Sequence, residues 1–305
     1  MKADPRRLLD LLMVARHGSF SGAAAATRIS QPALSKSIAL LERELGVRVL
    51  DRDRQGARLN DFGKALARYA HAIESLLEQA KEDTRLRSLG IEGPLAIGIT
   101  PVTAVGLVPA ALELLTRETP NVSVSVTEGL DDEIVSMLRS RELDLVVSRL
   151  GVGPDYPDIA EEPLILADWS LITRPQHPLG GRSSVSLSEL SAVQWVLPAG
   201  GSAFRSQMEM VFMGAGLHWP NAGITTNSIL AIKAIVMNTD CVTLMSPRLV
   251  DVECGAGHLC SVPLLDVSVL RPVGLMWRKA DEMSPIALRF AKVLRQVAGH
   301  DAARI

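Results

Sequence analysis

The stretch GSFSGAAAATRISQPALSKSIALLERELGVRVLDR, residues 18–52, constrains the fold more than any other part of the chain. Four alanines, Ala23 to Ala26, stand ahead of a Ser-Gln-Pro turn and a second amphipathic segment. Alanine is the strongest helix former and adds almost no bulk, so helices that meet across it approach closely. Leu8, Leu12 and Ala15 repeat at helical spacing before it, and Gly18 closes that first helix. Ser21 is the expected cap of the second. A third helix starts at Ser30 as N-cap with Pro32 in the first turn, carries the apolar row Leu34, Ile38, Leu41 and Leu45, and ends at Gly46. A helix, a tight turn and a closely packed second helix make a helix-turn-helix.

The polar face of that third helix carries Gln31, Ser35 and Glu42, with Pro32, Lys36, Ala39 and Arg43 in the adjoining row. Side chains at its amino end reach base edges in a major groove, and Lys36 and Arg43 reach phosphates. The run VRVLDRDRQGARLNDFG then reads as two short strands about a turn at Gly56. Arg52, Arg54 and Arg58 on this hairpin suit a wing that touches the phosphate backbone. Residues 1–60 hold eleven Lys and Arg against six Asp and Glu, on a chain whose net charge is −2. A basic amino-terminal module on an acidic body points to a polyanionic partner.

The segment GSFSGAAAATRISQPALSKSIALLERELGVRVLDRDRQGARLNDFGKAL resembles the amino-terminal domain of the LysR-type transcriptional regulators, and the likeness runs through the whole chain. Its most specific part is Ser-Gln-Pro-Ala-Leu-Ser followed by the Leu-Glu-x-x-Leu-Gly helix end. Within the family the pattern resembles the branch that includes the galactose-binding-protein and toluenesulfonate regulators. One departure is Leu50, where the family usually has Phe. The resemblance implies that Gln31, Pro32, Ser35 and Lys36 face operator DNA, with Ser30 and Arg43 on the same helix completing the candidate contacts. It also implies an effector-responsive regulator that is not an enzyme, and RNA polymerase as a further partner.

From Asp61 to about Gly90 the sequence is one long helical pattern. Phe62, Leu66, Tyr69, Ile73, Leu76 and Ala80 alternate spacings of four and three, a heptad seam that wants a partner helix. The same seam could pack on the protein's own body. The resemblance favours a dimerisation helix, with Phe62, Leu66, Tyr69, Ile73 and Leu76 as the contact, and implies a homotetramer built through the sensor domains.

GIEGP, residues 90–94, has the Gly and Pro of a hinge. Beyond it LAIGI, VSVSVT and LDLVVS alternate with helices near 103–118 and 130–140, followed by DWSLIT, QWVLP, CVTLM and GLMWR and a helix near 284–298. That alternation implies parallel sheets with helices on their faces. The whole is an α/β chain: a winged helix-turn-helix at 1–60, a linker helix at 61–90, and an effector domain at 91–305. The resemblance makes that last part a two-lobed, periplasmic-binding-protein-like domain, lobe I about 91–162 and 267–305 and lobe II about 163–266. The crossings between lobes fall near Leu150–Pro163 and Asp266–Leu270.

Ligands in such sheets sit where strands end and helices begin. Thr100 and Thr103, Ser202 in the Gly200-Gly201-Ser202 turn, and Asn227 between Thr226 and Ser228 occupy such places, although each also suits a plain helix cap. Ser148 and Arg149 follow a core strand, and Arg149 or Arg205 could pair with an anionic effector or make surface ion pairs instead. Phe204 could stack on the effector or fill the lobe core, whereas Met208, Met210 and Met213 read as packing. No catalytic cofactor is expected, and the effector is read as a small, anionic organic molecule.

Competing classes are an enzyme and a solute-binding protein on the same two-lobed fold. No nucleophile elbow, phosphate loop or paired-histidine zinc motif is present. Cys254, His258 and Cys260 are too irregularly spaced for a metal site, and three cysteines in all do not suit a disulfide framework. The amino terminus has no cleavable signal pattern and no apolar run spans a bilayer, so a cytoplasmic protein with no membrane partner is expected.

Overall fold

The computed structural model describes residues 4–302 except 28, 54–55, 90, 152–155, 201–202, 221 and 267–270. The chain divides into two units, residues 1–94 with 136–143, and 95–135 with 144–305.

In the first unit, α1 (Pro5–His17) is capped by Asp4, whose carboxylate accepts from Arg6 N at 3.0 Å, and it ends at Gly18 in the left-handed region, φ 64°. Helices α2 (Phe20–Thr27) and α3 (Gln31–Leu45) follow. Ser19 caps α2, not Ser21: its hydroxyl accepts from Gly22 N at 3.1 Å while Ser21 is exposed. Phe20 can serve as the first helical residue because it packs on the core. Ala23 and Ala24 are buried against Leu11, Leu34, Ile38 and Leu41, so the small side chains do set the close packing of this core.

Strands β1 (Leu50–Asp53) and β2 (Gly56–Leu59) pair antiparallel as a hairpin, with Leu50 buried beneath it. Gly56, φ 142°, lies against the end of α1: a Cβ there would stand 2.3 Å from Gly18 O, which accepts a hydrogen bond from Ala57 N at 2.9 Å. Only glycine permits that docking. Helix α4 (Asp61–Ser88) runs 28 residues, roughly 42 Å at the usual rise. It packs on α1, where Glu74 takes a two-point ion pair from Arg16 at 2.6 and 2.8 Å; Ala67 and Ala70 are buried, and Gly63 lies against Val49 and Leu59.

In the second unit the order is β3 (Glu92–Ile99), α5 (Pro101–Ala104), α6 (Leu107–Glu118), β4 (Val122–Glu128), α7 (Asp131–Arg139), β5 (Leu145–Arg149), β6 (Ile159–Ala167), β7 (Ser170–Thr173), β8 (Gln194–Pro198), α8 (Ala203–Gly214), β9 (Ala222–Thr226), α9 (Ile229–Asn238), β10 (Cys241–Met245), α10 (Asp251–Gly255), β11 (Cys260–Pro263), β12 (Arg271–Arg278) and α11 (Pro285–Ala302). Strand β3 and helix α7 begin or end across the unit boundary. One sheet has the order β4-β3-β5-β12-β6 and the other β11-β7-β10-β8-β9.

Both sheets are mixed, which corrects the parallel reading. β3 and β5 are parallel, but β12 is antiparallel to β5 and β6; β8 is parallel to β9 and β10, but β7 is antiparallel to β10 and β11. Pro163 to Ala167 pair within the first sheet, so the first crossing falls after Ala167 and not by residue 163. The second lies between β11 and β12, and residues 267–270 there fall outside the described residues. Gly93 and Pro94 belong to β3, so the strand starts earlier than a hinge at 90–94 allows. The first sheet's core packs Leu95, Ile97, Val147 and Leu275 under Leu115 and Phe290. The second sheet is covered on both faces, by α8 through Met208 and Phe212 and by α9 through Ile232 and Val236.

Candidate nucleic-acid interface and ligand cleft

Ser30 opens α3 as its N-cap, its hydroxyl accepting from Ala33 N at 3.4 Å. With Leu34, Ile38 and Leu41 turned inward, Gln31, Pro32, Lys36 and Arg43 are exposed and Ser35 is half-buried on the outward face. That is a surface of amide, hydroxyl and ammonium in the first half of the helix, with the Arg43 guanidinium in its last turn, suited to base edges and phosphates. Glu42 does not belong to it: its carboxylate accepts from Val49 N at 3.0 Å and ties α3 to the chain entering the wing. On the wing, Arg58 is exposed and paired in register with Asp51, Arg52 is placed by its backbone in β1, and Arg54 lies outside the described residues.

On α4 the five seam residues separate. Phe62, Tyr69 and Leu76, seven apart, are 60%, 65% and 43% exposed among the described residues, an apolar stripe on the surface of the helix. Leu66 instead packs against the amino-terminal core, and Ile73 is half-buried between the two faces. Leu77, 55% exposed, widens the stripe and was not among the seam positions.

In the second unit a cleft of about 680 Å³ is lined from the first sheet by Thr100, Pro101, Val102, Gly129, Leu130 and Arg149. From the second come Pro198, Ala199, Gly200, Phe204, Thr225, Thr226, Asn227, Ile229, Ile232 and Leu249. The strand-end rule thus brings Thr100, Arg149, Phe204 and Asn227 together. Thr103 is a correction: it is fully buried, and its hydroxyl donates to Thr100 O at 2.9 Å and Val147 O at 2.8 Å, so it holds α5 to β5. Ser148 sits behind the cleft wall with its hydroxyl 3.4 Å from that of Thr100. Ser202 lies outside the described residues.

Arg205 takes the second of the two roles left open for it, an ion pair: Nε meets Glu209 at 2.6 Å, Nη1 donates to Pro198 O at 3.3 Å, and the guanidinium lies 3.9 Å over the Trp219 ring. Of the three methionines near it only Met208 packs inside; Met210 and Met213 are exposed. Asn227 precedes the true cap of α9, Ser228, whose hydroxyl accepts from Ala231 N at 3.2 Å. Ala199 N donates to Thr226 O at 3.0 Å, which fixes the two loops of the second wall to each other. Leu130 and Leu249 escaped the sequence reading because they enter the cleft from the loop after β4 and the turn after β10. Only the three-dimensional arrangement joins such distant segments.

Among the described residues no group of three or more His, Cys, Asp and Glu is placed to hold a metal ion. Burial raises the Cys254 thiol above its ordinary value, the neighbouring Cys260 adding to the effect. No helix of the described residues is long and apolar enough to cross a membrane.

A winged helix-turn-helix in one unit and a two-lobed cleft in the other define a ligand-sensing, DNA-binding regulator. Residues 5–64 match the bacterial regulatory helix-turn-helix protein model of the lysR family, and residues 89–299 match the LysR substrate binding domain. The chain belongs to the LysR family of transcriptional regulators. It is 30% identical to the HTH-type transcriptional regulator GbpR of Azospirillum brasilense, over 95% of this chain and 85% of that protein. It is 27% identical to PcaQ of Agrobacterium fabrum, over 96% and 94%. Its structure resembles full-length CbnR complexed with its target DNA at a TM-score of 0.68, 25% identity, and 96% and 99% coverage. It is a DNA-binding transcriptional regulator with an effector-binding domain and not an enzyme, and its partners are operator DNA and a small-molecule effector.

Proposed function

We propose that this regulator senses a small organic anion in the cleft between its two lobes and, without a catalytic cofactor, answers it by changing how its multimer sits on operator DNA. The observation that carries the reading is Arg149: it stands at the end of β5 and is the only charged side chain among the described residues lining the cleft. Thr100 and Asn227 supply neutral polar groups from opposite walls. The exposed stripe Phe62, Tyr69 and Leu76 supports a homodimer through α4. Pairing of sensor domains into a homotetramer, contact with RNA polymerase and action in the cytoplasm complete this reading, and the family to which the chain belongs supports them. An effector redistributes such an assembly only as far as its affinity differs between two conformations, so it can alter transcription without altering overall DNA affinity.

The test is a thermal-shift screen of small organic acids and sugars against wild type, Thr100→Val and Asn227→Ala, because a ligand of the folded state alone raises apparent stability. A hit should then change the footprint on a duplex selected by the protein from a random pool. Hits whose affinity is the same in both variants would remove the cleft from the reading. Hits that bind the cleft yet never change the footprint would remove the switch.

A further inference from the structure

The walls of the cleft say more about the ligand than its charge. Sixteen described residues line it: nine carry apolar side chains, two are glycines, four are neutral and polar, and one is charged. Leu130, which would normally be covered, is 61% exposed at one wall. Arg149, from the first lobe, meets a pair of stacked aromatic rings that belongs to the second. Its guanidinium carbon lies 5.7 Å from the centre of the Phe204 ring, and Phe204 stacks on Trp169 at 5.4 Å with the rings 8° from parallel. Trp169 is buried in the second lobe's core.

From this we infer that the ligand is a singly charged carboxylate on a ring-sized apolar body, selected by an Arg149 guanidinium that Phe204 holds in place. The inference rests on the reading of the cleft as the effector site. One guanidinium offers a planar fork that matches one carboxylate. A second negative charge, as in a dicarboxylate or a phosphate ester, would enter an apolar site without a counter-cation among the described lining residues. A sugar would set several hydroxyls against walls whose described side chains are apolar at nine of sixteen positions, leaving hydrogen bonds unmade. An apolar ring satisfies those walls and leaves Thr100, Thr226 and Asn227 to orient the carboxylate. Phe204 acts as a positioning residue: its ring face restrains the guanidinium, so less freedom is lost when the anion arrives.

The full-length protein should be titrated calorimetrically with benzoate and cyclohexanecarboxylate, with their neutral amides, with phthalate and with galactose. The two monocarboxylates are expected to bind about tenfold or more tightly than the amides, phthalate and galactose. Arg149→Met should bring the carboxylates down to the level of the amides. Phe204→Leu should narrow the gap between carboxylate and amide while Phe204→Tyr restores it, a change in selectivity that a purely structural role would not produce. The wild-type comparison stands even where a variant folds poorly. Equal or tighter binding of the amides, phthalate or galactose, or no binding of either monocarboxylate, overturns the ligand class. If galactose or phthalate binds and Thr226→Val weakens it, the class falls while the cleft stands as the effector site. If monocarboxylates bind Arg149→Met undiminished, the cleft itself is the wrong place.

Discussion

Replacing Gly56 with alanine tests whether the wing is held by its contact with the end of α1. The backbone at Gly56, φ 142°, is a conformation that side chains rarely adopt, and forcing alanine into it costs on the order of 1–3 kcal/mol. The added Cβ would also stand 2.3 Å from Gly18 O, closer than any real contact, so the hairpin must move away. That movement breaks the hydrogen bond from Ala57 N to Gly18 O, a further loss of about 0.5–1.5 kcal/mol. Taken together the docked wing loses roughly 1.5–4.5 kcal/mol, which corresponds to opening about 10- to 2,000-fold more often. Hydrogen exchange read by mass spectrometry gives the assay: peptides covering 56–59 and the end of α1 should exchange faster by that factor, while those covering α9 do not change. Affinity for a selected duplex should fall alongside, since Arg58 rides on the hairpin. Unchanged protection in both wing and α1 would refute the claim that this close approach holds the wing.

Arg58→Ala and Lys36→Ala should each lower the steepness of DNA affinity against salt by about one counterion, and an unchanged slope would remove that residue from the phosphate contacts. Gln31→Ala should cost about 1–3 kcal/mol of discrimination between selected and random duplex in competition binding; equal losses on both would make Gln31 a backbone contact. Tyr69→Glu puts a charge into the exposed stripe of α4, so sedimentation should show dissociation without unfolding, and a retained mass would place the dimer contact elsewhere. The Glu162 carboxyl is held below its ordinary value by the hydrogen bonds from Arg295, at 2.7 Å each. Its stabilisation is therefore present above the ordinary value and disappears as pH falls through the lowered one. Arg295→Met should cost under about 1 kcal/mol at neutral pH, because the pair is partly exposed, and nothing in acid; a deficit that persists in acid would point to lost packing.

The helix-turn-helix was legible because its signals are local. Caps, the proline of α3 and the apolar row of Leu34, Ile38 and Leu41 all act within a turn or two of the residues they fix. Even there the start of α2 was read two residues late: Ser21 was the expected cap, whereas Ser19 caps the helix and Phe20, its first residue, packs on the core. In the sensor, β6 escaped notice because Pro163 interrupts it; as an edge strand of its sheet it can lack a backbone donor there. The antiparallel entry of β12 between β5 and β6 depends on pairing across more than a hundred residues, which no local period encodes. Strand-end logic located Thr100, Arg149 and Asn227, but it could not tell that Thr103 spends its hydroxyl on two carbonyls of its own lobe.

The place of β12 also has a bearing on how the protein is made. Its neighbours in the sheet, β5 and β6, leave the ribosome long before it does, and the whole second sheet is synthesised in between. At the usual pace of about 5–20 residues per second, the gap between β5 and β12 lasts on the order of ten seconds. Throughout that time the helix-turn-helix and its wing are already outside the ribosome, whereas the lobe that presents Arg149 still lacks a central strand. A nascent chain is thus equipped to meet DNA before it has an effector site to govern that encounter, and a stall late in synthesis would leave a DNA-binding fragment deaf to its signal.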